Sequence, residues 1–177
     1  MGLDYRNIDA RSREHMVQEI EADIRADKLF SGKRLTEEGV KAWPELLKEA
    51  AANHSDDWLA DQIRARRLIK TQEQKAKPKG GFTLAQVPHN APETLAEGEF
   101  NRYFVRGLCL KAIEEQIPEL VAYRARHSAA PRPESEAVIG RRFAPEQLLE
   151  DLRNSPGVEP ALGVPPGPNS GLSVKIP

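Results

Sequence analysis

Glu97, Glu99, Asn101, Arg102 and Arg106 crowd one short stretch of the chain, with Tyr103 and Phe104 between them. On a helix, Glu99, Arg102, Tyr103 and Arg106 share a face, so one carboxylate and two guanidiniums would converge there on a phosphate or on another acid. The plainer meaning is an amphipathic helix with ion pairs on its wet side, each worth about 0.2–0.5 kcal/mol. A second mixed cluster, Tyr123, Arg124, Arg126, His127 and Ser128 with Glu134 and Glu136 beyond, falls at the end of an expected strand. Its carboxylates, joined by Glu97 or Glu99, would suit a metal-assisted nuclease-like or transferase-like site. The spacing fixes none of the distances, and no catalytic residue is assigned.

Other chemistries lack their residues. No G-x-S-x-G, H-E-x-x-H or glycine-rich phosphate loop is present, and the segment GKRLTEEG has a Gly-Lys pair without the upstream glycine of a P-loop. Cys109 is the one cysteine, which excludes an intramolecular disulfide and a multi-cysteine metal site. His15, His54, His89 and His127 stand too far apart in sequence for a paired zinc spacing. No metal and no cofactor is expected.

Charge is unevenly placed. The chain carries a net −1, yet residues 64–79 hold seven Lys/Arg against one Glu. Arg64, Arg66, Arg67 and Lys70 head this block and are the candidate nucleic-acid contacts, giving salt-sensitive binding that ignores base sequence. Two features weigh against it: no aromatic residue lies between 59 and 81 to stack on bases, and the rest of the chain is net acidic. With Lys79-Gly80-Gly81 at its end, the block reads as the frayed end of a helix entering a linker over residues 64–81.

The elements that must hold these groups follow from periodicity. Asp9 caps a helix over residues 10–27, with Met16, Val17, Ile20 and Ile24 on one face. Thr36 opens a second, with Pro44 expected to break or kink it, and Ser55 caps a third that carries Trp58, Leu59 and Ile63. Residues 1–63 thus form a small helical bundle. Residues 82–153 combine a short strand, FTLAQV, with one long helix after Pro92, a second strand, ELVAYRAR, and a last helix from Pro145. The expected class is α+β, mostly helical. Residues 154–177 hold six of the 14 prolines and four of the 12 glycines, so they read as an extended arm. Within it Leu172, Val174 and Ile176 alternate with Ser173 and Lys175, as in a strand with one buried face. A lone strand is unstable in water, so these three residues are expected to dock on the sheet edge of a neighbouring subunit or partner.

The runs TLAEGEFNRYFVRGLCLKAIEE, YRAR, PRPESEAVIG and GVPPGPNSGLSVKIP, with a looser likeness at WPELLKEAA, resemble a family of small bacterial and prophage- or phage-encoded proteins of uncharacterised function. The resemblance covers roughly residues 80–177 and implies a setting, bacteria and their phages, without assigning a role to any residue. Taken together, the leading expectation is a non-enzymatic assembly or interaction protein, a homo-oligomer or a phage-virion or prophage component whose arm laces subunits together. The alternative is a nucleic-acid-binding or host-defence-interacting accessory protein that uses residues 64–79. No apolar run is long enough for a membrane span, and the charged first residues lack a secretory signal pattern, so a cytoplasmic or virion location is expected.

Overall fold

Three capped helices come first in a computed structural model that describes residues 2–155, 157–165 and 169–177. In α1 (Ala10–Arg25) the Asp9 carboxylate accepts from the Ser12 amide at 2.9 Å while the Ser12 hydroxyl accepts from the Asp9 amide, which closes a capping box. Thr36 caps α2 (Glu37–Asn53), which continues through Pro44 where a break or kink was expected. Ser55 caps α3 (Asp56–Ala65). Two strands follow, β1 (Gln72–Ala76) and β2 (Phe82–Gln86), and then the long helix α4 (Ala91–Glu114) with Pro92 in its first turn. The remainder is β3 (Leu120–Arg124), the single turn α5 (Pro133–Glu136), the two-residue β4 (Arg142–Phe143), α6 (Pro145–Asn154), the short α7 (Val158–Ala161) and β5 (Leu172–Lys175). The class is α+β and mostly helical, as the periodicity indicates.

Around α4 everything else is arranged. It packs against α1, α3 and α6, and it is buried on nearly every side from Phe100 to Cys109. Gly107 permits the closest approach: a Cβ there would stand 2.7 Å from the Ser12 carbonyl and 2.8 Å from Met16 Cγ. Met16, Ile20, Leu47, Leu59, Phe100, Phe104, Leu120, Leu152 and Val174 all belong to one hydrophobic core. The expected division at residues 64–81 therefore separates no cores. Leu68, inside the supposed linker, is buried with the helices, and the Thr36 and Lys70 amides bond across to the Leu68 and Arg34 carbonyls at 2.8 Å.

The C-terminal arm also differs from its expectation. Strand β5 pairs antiparallel with β3 of the same chain, Val174 opposite Ala122, in a three-stranded sheet of order β4-β3-β5. Leu172 and Val174 are fully buried in this chain's own core, Ile176 packs against it, and Ser173 is buried as well. Asn101 of α4 secures the strand: its Nδ2 donates to the Leu172 carbonyl at 2.8 Å and its Oδ1 accepts from the Ser173 hydroxyl at 2.7 Å. Part of the proline-rich run that delivers β5, residues 166–168, lies outside the described residues. The sheet edge that a strand requires is supplied by β3 of the same chain, so Leu172 and Val174 are spent inside the monomer and Ile176 is half-buried against it. Leu172→Ala should lower the stability of the monomer by about 2–5 kcal/mol in urea titrations. A substitution that altered only the oligomeric state would restore the docking arm.

Candidate functional site

The polar cluster on α4 is brought together, but as a structural network. Arg106, 1 % exposed, donates from Nε to Glu19 Oε2 at 2.6 Å, and from Nη1 to Asp23 Oδ2 at 2.6 Å. The Tyr103 hydroxyl donates to the same Asp23 oxygen at 2.7 Å, and Arg153 of α6 reaches Glu19 from the far side. Arg102 donates to Glu99 Oε2 at 3.3 Å and to the Leu152 carbonyl. The wet helix face expected for Glu99, Arg102 and Arg106 does not exist, because α1 and α6 cover it. Burial works to raise the Asp23 carboxyl, yet the hydrogen bonds from Arg106 and Tyr103 hold it below its ordinary value.

The second cluster is dispersed into pairs. Arg124 bonds Glu136 at 2.5 Å and the Ser135 hydroxyl at 3.0 Å, and Arg126 pairs with Glu97, which also accepts from Asn169. Glu97 and Glu99 thus turn to different partners, and among the described residues no group of three His, Cys, Asp or Glu could hold a metal ion. Cys109 is buried in α4, and burial pushes its thiol up far from reactivity.

What remains accessible is the basic block, and it forms a ribbon. Strands β1 and β2 pair antiparallel with Gln74 opposite Leu84 and Ala76 opposite Phe82. The turn closes through Gly80 and Gly81, both at positive φ, with the Lys77 amide donating to the Gly81 carbonyl at 3.0 Å. A two-stranded ribbon is marginal alone. Here its root is fastened by the Leu35–Ile69 bridge and by Arg34, which holds Glu73 with two bonds of 2.8 Å. Glu73 and Ala85 face the body and are half-buried, whereas Phe82 and Leu84 on the other face are 68 % and 67 % exposed.

The ion pairs sort the cations. Arg64 is committed to Glu93 at 2.5 Å and to the His89 carbonyl, which removes it from the expected nucleic-acid contacts. Arg66, Arg67 and Lys70 are exposed and, with Lys33, Lys75, Lys77 and Lys79, pair with no carboxylate among the described residues. Phe82 was the residue missed: it stands just past the block in sequence, and strand pairing brings it back beside Ala76.

Beside the ribbon's root lies a cleft of about 500 Å³ between residues 30–34 and the first turns of α4, lined by Phe30, Ile69, Leu95, Gly98 and Glu99 among others. Among the described residues no helix is long and apolar enough to cross a membrane. No family model, no curated protein and no solved structure matches the chain.

Burial pushes Glu99 up to about 7 against the opposing pull of Arg102, and Glu97 likewise to about 7 against Arg126. Between their ordinary value of 4.5 and about 7 the folded chain therefore holds protons that the unfolded chain has released. Stability from these groups is greatest below that window and falls as pH rises through it. The thermal midpoint should decline between roughly pH 5 and pH 8, with a shallower decline for Glu99→Gln, measured by circular dichroism across that range. An unchanged slope in Glu99→Gln would show that the proton sits elsewhere.

Proposed function

We propose that this protein binds nucleic acid through the β1–β2 ribbon, as an accessory factor. One observation carries the reading: arginines of the body are largely spent on carboxylates, whereas Lys75, Lys77 and Lys79 on the ribbon, with Lys33, Arg66, Arg67 and Lys70 toward its root, are exposed and pair with no carboxylate among the described residues. Such cations gain most from phosphates, because each contact releases a condensed counterion from the nucleic acid. A two-stranded ribbon fits the major groove of a duplex, roughly 12 Å wide. Phe82 supplies the aromatic surface whose absence from residues 59–81 weighed against this reading. The bacterial or phage setting implied by the sequence resemblance suits such a factor.

A second reading is supported by Phe82 and Leu84, since two large apolar side chains on one exposed face also suit a protein partner or a second copy of the chain. Salt dependence separates the two. Fluorescence anisotropy with a labelled duplex should give binding that weakens steeply with salt, and replacing Lys75, Lys77 and Lys79 with Gln should reduce the slope of log affinity against log salt by about 2–3. The variant should keep its thermal midpoint, since exposed substitutions cost within about 0.5 kcal/mol. If neither duplex nor single strand binds at low salt, or if Phe82→Ser instead converts a dimer to monomer, the assembly reading takes its place.

A further inference from the structure

Glycine in the middle of a helix is destabilising relative to alanine, so each such glycine asks for a reason. Gly107 of α4 has one, the close approach of α1 described above. Gly98 of the same helix has none in the packing: a Cβ added there would meet nothing within 4 Å. What the missing side chain keeps open is the cleft at the ribbon's root.

The surroundings of Gly98 are those of a receptor for a flat ring. Phe30, 44 % exposed, Leu95 and Ile69 line the cleft and give it apolar walls with one aromatic face. Glu99, only 5 % exposed, also lines it, with Oε2 engaged by Arg102 and Oε1 bonded to no group among the described residues. Lys33 is on the lining too, and the Lys70 ammonium donates to the Lys33 carbonyl at 3.1 Å, so two cations that pair with no carboxylate among the described residues stand beside the opening. An aromatic face, a buried acceptor and flanking cations answer the three parts of a nucleotide: the ring, its N–H edge and its phosphate. The volume of about 500 Å³ exceeds what one base needs, and Phe30, Thr94, Gly98 and Glu99 also line a second hollow of about 380 Å³ toward Asn169.

We infer that the cleft receives one unstacked base of a strand held by the ribbon, the ring lying against Phe30 and an amino group of the base donating to Glu99. This rests on the ribbon's binding of nucleic acid and adds to it a preference for strands with an unpaired base. Bases bearing an exocyclic amino group, adenine, cytosine and guanine, satisfy Glu99, whereas thymine and uracil present only a ring N–H. A fully paired duplex offers no base to the cleft and engages the ribbon alone.

Gly98→Leu is the discriminating variant, because a Cβ at residue 98 meets nothing within 4 Å and the position lines the cleft that the added side chain would occupy. Its fold is checked by the thermal midpoint, which should not fall. Anisotropy with a single-stranded adenine oligonucleotide should show affinity reduced by about 5- to 100-fold, the worth of one stacked base, while affinity for a blunt duplex stays within about twofold. Phe30→Ala should act in the same direction, and an all-thymine strand should bind the wild-type protein more weakly than the adenine strand. A single 2-aminopurine in the strand should change its emission on binding wild-type protein but not on binding Gly98→Leu. Equal effects of Gly98→Leu on single strand and duplex, or an emission change that survives it, overturn the base site while leaving the ribbon reading intact. Failure of both strand types to bind wild-type protein overturns the ribbon reading and this one with it.

Discussion

A guanidinium at the centre of the molecule sets the positions of three helices. Arg106 sits on α4 with almost no exposure, and burying its charge is tolerable only because Glu19 and Asp23 of α1 meet it in short hydrogen bonds. Glu19 is met in turn by Arg153 of α6. The donors of a guanidinium leave in fixed directions, so the acids must come to them, and α1 can slide or rotate very little against α4 before a bond is lost. Truncating one member of such a set leaves the others charged and dry, at a cost of about 3–5 kcal/mol. Gly107 allows the backbones to come close enough for the side chains to meet, and the apolar core of Met16, Ile20, Phe104 and Leu108 closes around them.

Local signals in the sequence were legible because their causes are local. Asp9, Thr36 and Ser55 cap helices through their own near neighbours, and Pro92 and Pro145 begin helices where their missing N–H costs nothing. What escaped was set by partners distant in the chain. The alternation in residues 172–176 marks a strand, but whether its edge comes from β3 or from another molecule depends on a pairing with residues 121–124, some fifty positions back in the chain, which periodicity does not record. The cluster at Glu99, Arg102 and Arg106 has the spacing of a solvated face, and only the arrival of α1 with its own two acids makes it an interior. The basic block lacked alternation strong enough to mark β1, since Gln72 to Ala76 has hardly an apolar residue; its strand character comes from pairing with β2 and from Arg34.

The division of labour between body and ribbon follows from charge. In the body, ion pairs consume most of the arginines, from Arg102 and Arg106 inside to Arg124, Arg126, Arg132 and Arg142 nearer the surface, and little field escapes from matched pairs. On the ribbon, unmatched lysines gather near one tip. A chain with a net charge of only −1 can therefore present a strongly positive appendage. The ribbon is held at its root by Arg34 and Glu73, so its direction is tied to Arg34, which is also one of the residues that wall the cleft.

Cys109 lies midway along the helix that the whole core surrounds, with no exposed surface and a thiol that burial keeps protonated. An alkylating reagent in solution can reach it only when α4 is uncovered, and there is no second sulfhydryl to confuse the signal. The rate at which the native protein consumes such a reagent is therefore a measure of how often the centre of the molecule opens. The chain carries its own stopwatch for rare excursions from the folded state, readable with the purified protein.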